Sequence, residues 1–125
     1  LPTEKEYDLA FGKYIDLVTI DGITIDYSVY GAIQANSLCY YENLSFVDVK
    51  DEIFDVVKLS GNKDVIGWDW KNFNRSAGGS GVYEIIGDRT YLISSNKVFK
   101  YKLRFVNFYN AQGQSGHPTF EWELL

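Results

Sequence analysis

Two residues, Asp21 and Gly22, separate a pair of apolar-rich runs, Tyr14 to Ile20 and Ile23 to Tyr30. Asp-Gly tolerates positive φ at both central positions of a two-residue loop, which is what a type I′ hairpin turn demands. In the second run Ile23, Ile25, Tyr27 and Val29 alternate with Thr24, Asp26, Ser28 and Tyr30. A two-residue period is that of a strand, so one face of this hairpin is expected to be buried and the other wet. A chain with such a hairpin near its start is directed toward antiparallel sheet.

The rest of the chain continues that pattern. Short strands are predicted around Leu38 to Tyr41, at Val82 to Ile86, Thr90 to Ser94, Val98 to Tyr109 and Thr119 to Leu124, with turns at "GD" and "SSN". In the last of these Phe120, Trp122 and Leu124 share one face and Glu121 and Glu123 the other. One segment reads differently. From Asp48 to Gly61, Val49, Ile53, Val56 and Val57 recur at helical spacing, Asp48 can cap the start and Gly61 can stop the end, so a short helix is expected there. Aromatic residues make up 17% of the chain and pack well on pleated surfaces. The expected architecture is all-β: an antiparallel, sandwich-like sheet with one short helix, as a single domain over residues 1–125.

Composition removes several function classes. The formal charge is -5, and no basic surface of the kind nucleic acid requires is offered, so no nucleic-acid partner is expected. The single cysteine, Cys39, allows no intrachain disulfide and no cysteine-based zinc site, and is read as a small buried hydrophobe. No apolar run approaches the ~20 residues of a membrane-spanning helix. The chain opens on "LPTEKEYD" without Met, so a trimmed or processed start is expected, and any lipid anchor would lie outside it.

Catalytic sets do not assemble. The one histidine, His117, stands in "SGHPTF" and reads as a turn residue before Pro118. No Gly-x-Ser-x-Gly elbow accompanies it. "AGGSG" lacks the Lys-Ser/Thr end of a phosphate loop, and "DVKDEIFD" lacks the spacing of a calcium loop. The acids fall mainly on wet faces. A binding protein is expected rather than an enzyme.

Binding residues are easier to find. "GWDWKNFNR" offers Trp68, Trp70 and Phe73 beside Lys71 and Arg75. If that stretch is a strand, Trp68 and Trp70 point to the same side, as a core stack or as a flat platform for a sugar or planar ligand. "CYYEN" adds Tyr40 and Tyr41 on opposite sides. "NRSAGGSG" reads as a surface loop. In "KVFKYKLRFVNFYN", Phe99, Tyr101, Leu103 and Phe105 share one face and Lys100, Lys102 and Arg104 the other. Those cations face water, the acids of a neighbouring strand such as Glu121 and Glu123, or ligand carboxylates; they are read chiefly as a device that fixes strand register.

Four segments together carry a family resemblance: "YDLAFGKY", "GWDW", "TYLISSNKVFKYKLRFVNFYN" and "GHPTFEWELL". Their order and aromatic-aliphatic pattern resemble the HmuY-like haem-binding lipoproteins of Gram-negative anaerobes. The resemblance implies an all-β protein of the cell envelope, at the outer-membrane surface or secreted. It implies a lipid anchor and haem as the bound group, captured for an outer-membrane receptor. Such proteins grip the iron with two His or Met side chains from loops at the open end, which by position correspond to "CYYENL" and "NFNRSAGGSG". Here the chain departs: it has no Met, and its one His lies at position 117. By that placement Tyr41 is the candidate haem-iron ligand, with Tyr40, Trp68, Trp70, Lys71, Phe73 and Arg75 around the ligand and Lys71 or Arg75 near its acid groups. The alternative is a glycan- or protein-binding module, with the two Trp and two Tyr as its stacking surface.

Overall fold

A computed structural model describes residues 7–74, 81–95 and 99–125. The Asp21-Gly22 turn forms as its chemistry requires, with φ of 51° at Asp21 and 79° at Gly22. It joins β1 (Leu9–Ile20) to β2 (Ile23–Gln34), which pair from Ile20↔Ile23 down to Leu9↔Gln34. Near the tip the Thr19 and Thr24 hydroxyls meet at 2.9 Å. The hairpin is longer than the sequence pattern suggests, and its outer half is not covered. Ile15 is 65% exposed, Leu17 68% and Ile25 41%, and Val29 is the first buried residue of β2. Alternation reports which side chains share a face; it does not report where the rest of the chain stops covering that face.

A second sheet supplies most of the core. Its strands are β3 (Ser37–Glu42), β6 (Thr90–Ser95), β7 (Phe99–Tyr109) and β8 (Ser115–Leu124), in the order β3-β6-β7-β8 and antiparallel throughout. A third ribbon pairs β4 (Lys71–Asn74) with β5 (Val82–Ile85). The all-β, antiparallel class expected from the sequence is therefore the one observed. β8 begins at Ser115, before the expected Thr119, and the extra length is accommodated by register shifts between Phe105 and Tyr109. His117 consequently lies on a strand, exposed, and not in a turn. Val98, expected to open β7, and residues 75–80 of the Gly-rich loop lie outside the described residues.

One face of the four-stranded sheet packs on Ala32, Ile66 and Trp70. The Trp70 indole lies flat on Phe105, with ring centroids 3.9 Å apart and planes 10° apart. Phe108 and Tyr91 meet this pair edge-on from either side. Cys39 is fully buried in the same cluster, and desolvation pushes its thiol up to about 12, so it behaves as a small hydrophobe.

The opposite face is covered by the segment expected to be a helix, and no α-helix forms there. Phe46–Asp48, Asp51–Ile53 and Val56–Lys58 are three separate 3-10 turns joined by extended residues. The reason lies in what competes for the backbone. Lys102 is 5% exposed, and its ammonium donates to the carbonyls of Phe46 at 2.5 Å and Val49 at 2.9 Å. An α-helix over Asp48 to Gly61 would commit the Val49 carbonyl to the amide four residues on. The Tyr40 hydroxyl donates to the Ile53 carbonyl and accepts from the Asp55 amide. Asp55 turns its carboxylate onto the Val57 amide, and Ser60 exchanges two backbone bonds with Cys39. A β-branched segment with weak helix preference yields to these partners, placing Val49 in the core and leaving Val56 and Val57 exposed.

The cationic face of β7 meets acids. Arg104 pairs with Glu121 at 2.6 Å and Lys102 with Glu123 at 3.8 Å, each across the ladder from its register partner. Lys100 reaches Asp51 at 3.3 Å. Cross-strand pairs of opposite charge contribute ~0.2–1 kcal/mol each, enough to favour one register over its neighbours.

Truncating Trp70 to alanine is expected to cost about 3–5 kcal/mol in a denaturant titration, whereas the same truncation at Trp122, which is 62% exposed, is expected to cost less than ~1 kcal/mol. Comparable losses at the two positions would place the core elsewhere.

Candidate ligand site

The site is built by one close backbone approach. Gly31, on β2, lies against Gly67: a Cβ at residue 31 would stand 2.2 Å from the Gly67 carbonyl oxygen. The space is filled by two backbone bonds, Ala32 N–H to the Gly67 carbonyl at 2.8 Å and Gly67 N–H to the Ala32 carbonyl at 3.0 Å. Gly67 holds φ +57°, a conformation that costs glycine little. The chain then turns through Trp68 and Asp69 into β4. Trp68 and Trp70 therefore sit on a turn and not on a strand, and they part company. Trp70 drops into the core with its Nε1 donating to the Gly67 carbonyl at 2.9 Å. Trp68 stays half-buried, its Nε1 donating to Asp16 Oδ2 on β1 at 2.9 Å.

Between the hairpin and the β4–β5 ribbon lies a cavity of about 590 Å³. Its walls are Tyr27, Trp68, Phe73, Tyr83 and Phe108, with Lys71 also lining it and Lys13 at its rim. Phe73 and Tyr27 are 46% and 48% exposed, so an aromatic lip opens to solvent. The lip is stiffened by Phe73 packing on Tyr83 at 5.0 Å, while the Tyr83 amide donates to the Tyr109 hydroxyl at 2.9 Å.

Lys71 is the unusual member. It is 5% exposed, and its ammonium donates to the carbonyls of Tyr30 at 2.5 Å and Trp68 at 3.1 Å. The Trp70, Phe108 and Tyr83 ring centroids lie 4.4, 4.9 and 5.6 Å from it. No carboxylate among the described residues pairs with it. Burial brings its pKa down to about 8, against a weaker upward pull from Asp69. The cavity thus combines flat apolar walls with a cation that lacks a counter-ion. Among the described residues no carboxylate lines it.

The structure brings together three of the residues singled out from sequence, Trp68, Lys71 and Phe73. Of the others, those that are described lie apart. Arg75 lies outside the described residues. Trp70 is core. Tyr40 is 6% exposed, and its hydroxyl is occupied by the Ile53 and Asp55 backbone. Tyr41 is 40% exposed and lines a separate hollow of about 300 Å³ with Glu42 and Lys58, while the Arg89 guanidinium lies 4.3 Å from its ring. Sequence reasoning missed Tyr27, Tyr83 and Phe108. Tyr83 joins Phe73 as its partner across the β4–β5 ladder, and Tyr27 is brought up by the Gly31–Gly67 contact between β2 and the turn; neither pairing leaves a local signature. Among the described residues, no three His, Cys, Asp or Glu side chains converge as a metal shell.

Lys71 makes stability depend on alkaline pH with a determinate sign. Its pKa is about 8 folded and near 10.5 unfolded, so between those values the unfolded chain binds more protons and stability rises with pH. Cys39 from pH 9 and the half-buried Tyr14 from pH 10, both raised to about 12, work in the opposite direction, because only the unfolded thiol and tyrosine ionise there. The stability of the native chain relative to Lys71→Met is expected to climb between pH 8 and 10, by on the order of 1–3 kcal/mol, and a difference that stays constant over that interval would contradict the assignment.

No protein-family model matches the chain, and a comparison with curated proteins finds no match. Among solved structures, the crystal structure of a "putative lipoprotein" from Bacteroides fragilis is similar, with 14% identity and a TM-score of 0.48 over 76% of this chain and 65% of that one. The chain spans less than two thirds of that protein. The HmuY-type resemblance accordingly rests on the order and pattern of strands alone.

Proposed function

We propose that this protein is a non-catalytic binding protein of the bacterial cell envelope. Its ligand is flat, largely apolar and acidic, and lies in the cavity between the hairpin and the β4–β5 ribbon. The observation that carries this reading is Lys71: a buried ammonium without a carboxylate partner among the described residues, lining a cavity with aromatic walls. Two of its three N–H groups are committed to carbonyls, leaving one donor for a ligand acid. Haem or another tetrapyrrole has the required shape and charge, and the strand-pattern resemblance points to the same class, to an envelope location and to delivery to an outer-membrane receptor. The iron-ligating atom is assigned to Tyr27 in place of Tyr41. Phenolate oxygen is an established haem-iron ligand, and Tyr27 stands at the cavity lip whereas Tyr41 does not line it.

Titration with haemin and with metal-free protoporphyrin, followed by tryptophan fluorescence and the Soret band, tests this. Both are expected to bind saturably at one equivalent. Lys71→Met should weaken both by roughly tenfold, the loss of one hydrogen bond to a charged group. Tyr27→Phe should alter only the haemin spectrum, and Tyr41→Phe should alter neither. Saturable quenching by a neutral oligosaccharide with no response to either porphyrin would replace this reading with glycan binding.

A further inference from the structure

The last strand ends the four-stranded sheet, and no described strand pairs with its outer edge. Which groups it presents follows from one bond. The Leu125 amide donates to the Lys100 carbonyl at 2.9 Å. Antiparallel pairs alternate between bonded and non-bonded, so Lys102↔Glu123 and Arg104↔Glu121 are bonded pairs and the intervening residues turn their backbone outward. The free N–H and C=O groups therefore belong to Phe120, Trp122 and Leu124. No other backbone of the described residues bonds to them. The same three residues carry exposed apolar side chains, at 37%, 62% and 55%. Phe120 and Trp122 also line a groove of about 340 Å³ with Leu9, Phe11 and Tyr101. Unpaired backbone and exposed rings coincide along five residues, a combination that native edge strands usually suppress.

Charge selects the occupant. Glu121 and Glu123 project from the other face and remain 51% and 63% exposed beside Arg104 and Lys102, so their carboxylates are open to further cations. A second copy of the chain fits poorly. Antiparallel pairing of two outer edges with Trp122 opposite itself sets Glu121 against Glu123 of the second copy, twice. A shift of one pair in either direction sets Glu121 or Glu123 against its own copy. Like charges directly across a ladder are destabilising. A strand with basic residues at those places and apolar residues at the others fits, and β7 already shows the arrangement on the inner side. We propose that the outer edge of β8, from Phe120 to Leu124, receives an extended segment of another protein that alternates basic and apolar residues, which joins the sheet as a further strand.

The test uses the full chain and two synthetic peptides. One copies residues 99–105, Phe-Lys-Tyr-Lys-Leu-Arg-Phe; the other replaces its three basic residues with glutamate. The basic peptide is expected to bind saturably and to slow amide hydrogen exchange at Phe120, Trp122 and Leu124. The acidic peptide should bind roughly tenfold more weakly, as expected for lost cross-strand charge pairs, and the double variant Glu121→Gln, Glu123→Gln should narrow that difference. Equal binding of the two peptides would overturn the proposal, as would protection confined to other amides or no binding. A concentration-dependent dimer that protects the same three amides would assign the edge to a second copy and overturn it as well. Because the readout is at β8, the outcome is independent of whether the cavity takes a porphyrin.

Discussion

The ammonium of Lys71 is the point on which the ligand site depends. Beside the Ala32–Gly67 bridge it ties the Tyr30 carbonyl on β2 to the Trp68 carbonyl on the turn and to β4, of which Lys71 is the first residue. A cation this buried is tolerable only with strong acceptors and with aromatic faces that offset part of its lost hydration. Here two carbonyls and three rings provide that environment. The arrangement fixes the hairpin relative to the β4–β5 ribbon, and the space left between them is the cavity. It also leaves positive charge beside an apolar chamber, the condition that an acidic flat ligand would relieve.

Lys102 repeats the device on the other face of the second sheet. It too is 5% exposed, with carbonyls from Phe46 and Val49 and the Phe46 ring 4.4 Å away. The difference between the two lysines is instructive. Lys102 has Glu123 at 3.8 Å and lines none of the hollows described above, so its role ends with shaping the 46–58 segment. Lys71 has no such acid and lines a cavity. The same side-chain chemistry serves architecture in one place and, in the proposed reading, recognition in the other; what separates them among the described residues is a counter-ion and an opening.

Much of the fold was legible in the residues. The Asp-Gly pair defined the hairpin and its register, and the alternation in β7 and β8 separated aromatic from charged faces. Where reading failed, a distant partner had intervened. The segment from Asp48 to Gly61 has helical spacing, but Lys102, Tyr40 and Cys39, all remote or preceding in sequence, claim its backbone groups. Trp68 and Trp70 share a parity that is meaningful only in a strand, and the Gly67 turn removes that condition. The site was legible in part because Trp68, Lys71 and Phe73 are neighbours in sequence. Tyr27 was hidden because it joins those residues through the Gly31–Gly67 contact, for which two separated glycines give no signal, and Tyr83 because the β4–β5 pairing that sets it against Phe73 spans a loop.

The central physical claim is that Lys71 is held as a buried ammonium under aromatic rings. Proton–nitrogen correlation of lysine ammonium groups at neutral pH observes this directly. The account predicts a slowly exchanging Lys71 signal, shifted upfield by the Trp70 and Phe108 rings and missing from Lys71→Met. A Lys71 ammonium exchanging as fast as those of surface lysines, at an unshifted position, would contradict it.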